Sequence, residues 1–199
     1  MIKSKTDYKN YLAQDKRALY IGELNLPRLL VSYISPDPIW KFQKLLRKLE
    51  YNFNCKNNGL GKYYVYYLRH RYKKQSLKLG FSIPINVFGP GLSIAHYGTI
   101  IINSATKVGA NCRLHACVNI GASGGESEAP NIGDNVYIAP GAKIYGNINI
   151  ANNIAIGANA VVNKSFNEES ILIAGNPAKK IKEINIKKLI KHIDSAYKI

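Results

Sequence analysis

The chain is 199 residues long, carries 28 Lys/Arg against 12 Asp/Glu, and has a formal net charge of +16. With 46% hydrophobic residues it can bury one sizeable core and still carry an appendage, which sets aside a disordered or purely linking role. The longest apolar-aromatic run, 63–68, is far too short to span a bilayer.

The first twenty residues are dotted with charge (Lys3, Lys5, Asp7, Lys9, Asp15, Lys16, Arg17) and have no apolar h-region, so no secretory signal is read there and a soluble cytoplasmic protein is expected. The charge is segregated: +12 over 1–80, zero over 81–162 and +4 over 163–199. Two different jobs along the chain are implied. The first eighty residues read as helical. Asp37 and Pro38 form an N-cap with proline in the first turn, and Ile39, Phe42, Leu45, Leu46 and Leu49 follow at helical spacing. A second helix is expected over about 62–74, ahead of Gly80.

The middle is an internal repeat. An aliphatic residue recurs every six positions at Ile102, Val108, Leu114, Ile120, Ile132, Ile138, Ile144, Ile150, Ile156 and Val162. A second small or aliphatic residue falls four positions later, at Cys112, Val118, Val136, Ala142, Ile148, Ile154 and Ala160. Neither a helix nor a lone surface strand has that period. Short parallel strands wound as a three-sided coil do, with Asn111, Asn135, Asn147, Asn153 and Asn159 at the turns that need positive φ. The repeat breaks twice. Ile94 precedes Ile102 by eight residues instead of six, and 121–130 has no inward aliphatic residue and reads as a loop thrown out of the coil. The tail residues Ile186, Leu189, Ile190, Ile193 and Tyr197 again have helical spacing. The organisation expected is a basic helical region at 1–80, a β-helix at 81–178 and a helical tail at 179–199. The fold class is mainly β, a parallel β-helix of hexapeptide repeats with a helical N-terminal region and a C-terminal helix. Cys55, Cys112 and Cys117, odd in number and without CxxC spacing, are expected to be reduced and buried, the last two packing at corners.

The motifs GLSIAH at 91–96, IGASGG at 120–125, APNIG at 129–133, IAPGAKIYG at 138–146, IGANAVV at 156–162 and AGNPA at 174–178, in this order, resemble the serine acetyltransferase branch of the hexapeptide-repeat acyltransferases. The resemblance covers about half of the chain, from 81 to about 181. It implies a left-handed coil, a homotrimer or dimer of trimers, and acetyl-CoA as co-substrate in a groove between neighbouring β-helices. It also implies His96 as general base on the acceptor hydroxyl, because a hydroxyl attacks only as a base near neutral pKa takes its proton. The groove would be lined by Gly121, Ala122, Ala139, Pro140, Gly141 and Ala158, with Lys164 and Lys179 toward the phosphates of the donor. Three positions depart from the serine enzymes. Phe81 stands where they carry an aspartate fifteen residues before the base, Ala95 where an aspartate directly precedes it, and Ala129 where a second histidine stands. Those losses point away from free serine and toward a sugar hydroxyl of a surface or capsular polysaccharide or its precursor. Serine O-acetylation in cysteine biosynthesis is the alternative, kept open by the terminal Ile199, the residue that partner enzymes grip in that family.

A bland reading competes at each position. A lone histidine is more often structural than catalytic, but His96 falls at the register slip and on the family base. Alternation sets His115 on the opposite side from His96, which favours a wall role over binding the acceptor or orienting His96. Glu126 and Glu128 are either solvated loop residues or the groups that orient His96 or bind the acceptor. No metal is expected, since a β-helix lyase of the γ-carbonic-anhydrase type needs three histidines and the repeats offer two. The basic, tyrosine-rich run at 62–78 fits peripheral contact with an anionic inner membrane surface, trimer packing or plain solvation better than nucleic acid.

Overall fold

A computed structural model describes residues 1–21 and 37–193. Among the described residues, three α-helices lead into fourteen short strands. Helix α1 (Lys5–Ala18) starts where Ser4 Oγ accepts the Asp7 N–H. Helix α2 (Pro38–Cys55) starts where Asp37 accepts the Trp40 N–H at 2.7 Å, with proline in the first turn. Helix α3 (Gly61–Leu79) runs a full turn beyond the sequence expectation and ends at Gly80, whose φ of 75° is the left-handed cap glycine takes without a steric penalty.

The strands coil around a triangular core. One face stacks β1 (Phe81–Ser82), β3 (Ile100–Ile102), β6 (Asn119–Gly121), β9 (Lys143–Tyr145) and β12 (Val161–Val162). The second stacks β4 (Lys107–Val108), β7 (Asn131–Ile132) and β10 (Asn149–Ile150). The third stacks β2 (Ser93–Ile94), β5 (Arg113–Leu114), β8 (Tyr137–Ile138), β11 (Ala155–Ile156), β13 (Ile171–Gly175) and β14 (Ala178–Glu183). All pairs are parallel except β13 with β14. The register explains both breaks in the repeat. A coil normally advances 18 residues, as from Ile138 to Ile156. It advances 20 from Ile94 to Leu114 and 24 from Leu114 to Ile138. The two extra residues sit in the corner after β2 and the six extra in the 121–130 loop. Inward residues are buried throughout: Leu114, Ile120, Ile138, Ile156 and Val162 are fully enclosed. Of the expected turn asparagines, Asn111, Asn135, Asn153 and Asn159 have φ between 54° and 59°. At Asn147 the left-handed residue is instead its neighbour Gly146, φ 94°.

Both ends of the coil are covered, which removes open strand edges. Ile39, Phe42 and Leu46 of α2 join the β-helix core, and Leu49 packs with Val65 and Leu68 of α3. The other end is closed by the antiparallel β13–β14 hairpin, which the repeat pattern did not announce. The tail's helical spacing is realised as two 3₁₀ turns, Ile186–Lys188 and Lys191–Ile193, and not as an α-helix. Ile186 and Ile190 lie on the outside of the third face against Ala155. Tyr197 and Ile199 lie outside the described residues. Cys112 is buried, but Cys117 is exposed at a corner with φ 63°, contrary to the expectation that all three thiols are buried. No helix among the described residues is long and apolar enough to cross a membrane.

His192 in the last turn is 3% exposed. It sits edge-on to Tyr20 with ring centroids 6.1 Å apart, and its Nε2 lies 3.3 Å from Asn111 Oδ1. Burial, with Arg17 and Arg113 nearby, pushes its imidazole from 6.5 down to about 4. The folded state therefore binds fewer protons than the unfolded one across that window. The contribution is whole above pH 6.5 and drains as pH falls toward 4. The melting temperature should fall over that range, and His192→Gln should make the fall shallower; equal slopes by calorimetry would refute the assignment.

Candidate active site

The corner between β2 and β3 carries His96. Because this corner holds two residues more than the others, it bulges outward, leaving His96 exposed and Tyr97 67% exposed. Its base is fixed from below, since the Gly98 N–H donates to Leu79 O and the Ile100 N–H to Gly80 O at the end of α3. One coil up, the Ala95 N–H donates to Leu114 O, which sets His115 beside His96. The two imidazoles have centroids 5.8 Å apart, inclined at 52°. The sequence alternation that put them on opposite sides fails here, because the longer corner turns the chain after Ile94 and carries the His96 ring round to the His115 side. His115 also meets the Tyr137 ring at 5.1 Å. Its Nε2 is buried without a hydrogen-bond partner among the described residues. Burial first, then Arg113 and His96, pushes its pKa down to about 4, so it is neutral near pH 7.

The groove residues expected from the sequence divide between two corners. Ala139, Pro140, Gly141 and Ala158 stack in the His96 corner, tied by the Gly141 N–H to Ala116 O and the Asn159 N–H to Pro140 O. Close stacking demands small residues: a Cβ on Gly141, at φ 77°, would fall 2.0 Å from Asn159 Oδ1. Gly121 and Ala122 lie at the opposite end of β6, where Gly121 O accepts the Gly146 N–H, and Lys164 follows β12 on the same side. Lys179 stands in β14 opposite Ala174. Glu126 and Glu128 are exposed in the 121–130 loop, with the Glu126 N–H turned back onto Ser123 O. That loop joins the first face to the second, whereas His96 joins the third to the first, so one protomer does not bring either glutamate to His96. Phe81 is 5% exposed and packs edge-to-face on Phe42 at 4.9 Å. It belongs to the core and offers His96 no polar partner.

The sequence reading missed Tyr137, which bridges His115 and a cavity of about 480 Å³ on the outside of the third face, lined also by Ala139, Gly157, Leu172 and Leu189. The signal was available in the register, because Tyr137 stacks directly over Arg113, the neighbour of Leu114 and His115.

No family model matches the chain. A serine acetyltransferase of Staphylococcus aureus (strain N315) is 38% identical over 101 residues, 50% of this chain and 47% of the relative. That of Staphylococcus xylosus is 39% identical over 97 residues, 48% and 44% respectively. The chain thus spans about half the length of the curated relatives it matches. Among solved structures, Neisseria gonorrhoeae serine acetyltransferase superposes with a TM-score of 0.68 at 25% identity, covering 97% of this chain and 72% of that one. The Brucella abortus enzyme gives 0.67 at 24% identity, covering 92% and 72%. The fold is that of the serine acetyltransferases. It is the left-handed β-helix with a helical N-terminal region. The sugar acceptor expected from Phe81, Ala95 and Ala129 is overturned, because sequence relatives and structural neighbours alike are serine enzymes. Missing side chains at three positions did not identify an acceptor, since His115 lies close enough to supply a polar group from another coil.

Proposed function

We propose that the protein is an acetyl-CoA-dependent O-acetyltransferase whose acceptor is the hydroxyl of L-serine. The observation that carries the reading is His96, exposed at a bulged corner beside neutral His115, at the foot of a column of small residues. The choice of substrates is supported by two structural neighbours. The Neisseria gonorrhoeae neighbour was solved with serine, and the Brucella abortus neighbour with coenzyme A.

In this mechanism a nitrogen of His96 takes the hydroxyl proton as the acceptor oxygen bonds to the thioester carbonyl carbon. The carbon–sulfur bond then breaks, and the proton passes to the departing thiolate. The extended arm of acetyl-CoA lies along Ala139, Pro140, Gly141 and Ala158, where only small side chains separate it from the backbone. His115, neutral beside the base, offers the acceptor a hydrogen bond through Nδ1, the ring nitrogen that is not enclosed, without adding charge there. The division of groove residues between two corners supports a homotrimer. A neighbour's Gly121, Ala122, Lys164 and acidic loop then face the His96 corner across the interface, and Lys179 approaches the donor from the hairpin.

The test is release of coenzyme A thiol from acetyl-CoA by purified protein with and without L-serine. Serine-dependent release with O-acetylserine as product is expected. Turnover independent of serine, or none, would exclude the reading.

A further inference from the structure

The helix α3 faces solvent on most of its circumference and carries Lys62, Arg69, Arg71, Lys73, Lys74 and Lys78 with no acidic residue in its length. None of these six cations forms a salt bridge among the described residues. Val65, Leu68, Ser76 and Leu79 turn inward. At 3.6 residues per turn, Tyr63, Tyr66, Tyr67, His70 and Leu77 fall within a sector of about 100° opposite that buried side. Tyr63, Tyr66, Tyr67 and Leu77 are 62%, 65%, 52% and 74% exposed, and Leu60 just before the helix is 86% exposed. Arg71 and Lys78 form a row on one flank of this stripe, with Lys74 just inside that edge, and Lys62, Arg69 and Lys73 form a row on the other. The first row also lines a cleft of about 170 Å³ between α3 and α2, completed by Lys41, Leu45 and Gln75.

We propose that this side of the helical region is a docking surface for an anionic phospholipid bilayer. The aromatic and leucine stripe enters the headgroup layer, and the flanking cations, with the cleft of Lys41, Arg71, Lys74 and Lys78, hold lipid phosphates. Three features select this occupant. An aromatic-apolar band between two cationic rows is the pattern of a helix lying in the plane of a membrane interface. Tyrosine places an apolar ring and a polar hydroxyl at the depth where those two environments meet. A second copy is disfavoured by charge, because self-docking would press two acid-free cationic helices together in a region already at +12. Nucleic acid would use the cations and could stack on the tyrosines, but it gives no reason for exposed leucines at both ends of the stripe.

The experiment is co-sedimentation of the full chain with vesicles of phosphatidylcholine alone and of phosphatidylcholine containing about a third phosphatidylglycerol, at low and high salt. Binding to the anionic vesicles only, weakened by salt, is expected. The triple variant Arg71→Gln, Lys74→Gln, Lys78→Gln should weaken it by roughly 10²-fold. The variant Tyr63→Ser, Tyr66→Ser, Tyr67→Ser should weaken it as well while keeping the salt dependence, and unchanged circular dichroism melting checks that both variants fold. Inorganic phosphate at millimolar concentration should not displace the protein. Four results would overturn the proposal: no sedimentation, full displacement by phosphate, tighter binding to a single-stranded RNA probe than to the vesicles, or concentration-dependent self-association abolished by the same variants. None of these readouts depends on the acetyl acceptor.

Discussion

Replacing His96 with alanine should reduce serine-dependent thiol release by about 10² to 10⁴, the range for loss of a positioned general base. The lower end corresponds to roughly 2.7 kcal/mol of transition-state stabilisation. Folding stability should barely change, because the ring is exposed and surface substitutions are generally within about 0.5 kcal/mol. Acetyl-CoA binding, measured by titration calorimetry, should also persist, since the column of Ala139, Gly141 and Ala158 is untouched. His115→Leu separates the two imidazoles. It removes one hydrogen bond to a neutral group, which is worth about 0.5–1.5 kcal/mol, so the serine KM should rise roughly three- to tenfold with the acetyl-CoA KM unchanged. The pH profile adds an independent check. His115 is held down at about 4, so its protonation cannot produce an acid limb above pH 5. A limb found there that persists in His115→Leu belongs to another group. Near-wild-type turnover in His96→Ala would remove the base from the mechanism.

The β-helix was legible because its cause is local and periodic. A hexad needs an inward aliphatic residue and a turn residue that tolerates positive φ, and both are one-residue signals at fixed spacing. The bulged corner was legible for the same reason, as an eight where a six belongs, and it marked His96. The relation of His115 to His96 was not legible. Alternation holds along a strand but not around a corner, and two added residues decide which way the rings face. The tail illustrates a different loss. The spacing of Ile186 and Ile190 recorded which residues touch the sheet, yet an apolar tail draped on a sheet and a free amphipathic helix can share that spacing. The acceptor was misjudged because absent side chains were read as evidence of substrate, while three-dimensional stacking brings in groups nineteen and forty-one residues downstream of His96, at His115 and Tyr137.

A larger effect on stability is expected at a residue that carried no sequence signal at all. Arg47, fully buried in α2, bonds Asp15 of α1 at 2.8 Å, Glu50 at 2.9 Å, and the carbonyls of Phe88 at 2.9 Å and Gly89 at 2.6 Å. Asp15 Oδ1 accepts the N–H groups of Gly91 and Leu92, Glu50 Oε1 accepts that of Asn86, and Gln43 donates to Leu92 O. The segment 86–92, which leads directly into β2 and His96, thus takes hydrogen bonds from the helices on the side where a lower coil would lie, and from the coil above at Val108 and Asn111. Arg47→Met would leave two carboxylates buried without their cation and two carbonyls without a donor. Removing one partner of such a pair typically costs about 3–5 kcal/mol, a large share of the roughly 5–15 kcal/mol that holds a domain folded. Urea denaturation should show that loss. Adding Asp15→Leu and Glu50→Leu should recover little or none of it. The apolar set relieves the buried charges, but it leaves the Gly91, Leu92 and Asn86 N–H groups unsatisfied, at about 1–3 kcal/mol each. Full recovery would show that these side chains only neutralise one another. Incomplete recovery, together with a raised serine KM in conditions where the protein stays folded, would show that the helices shape the corner that holds His96.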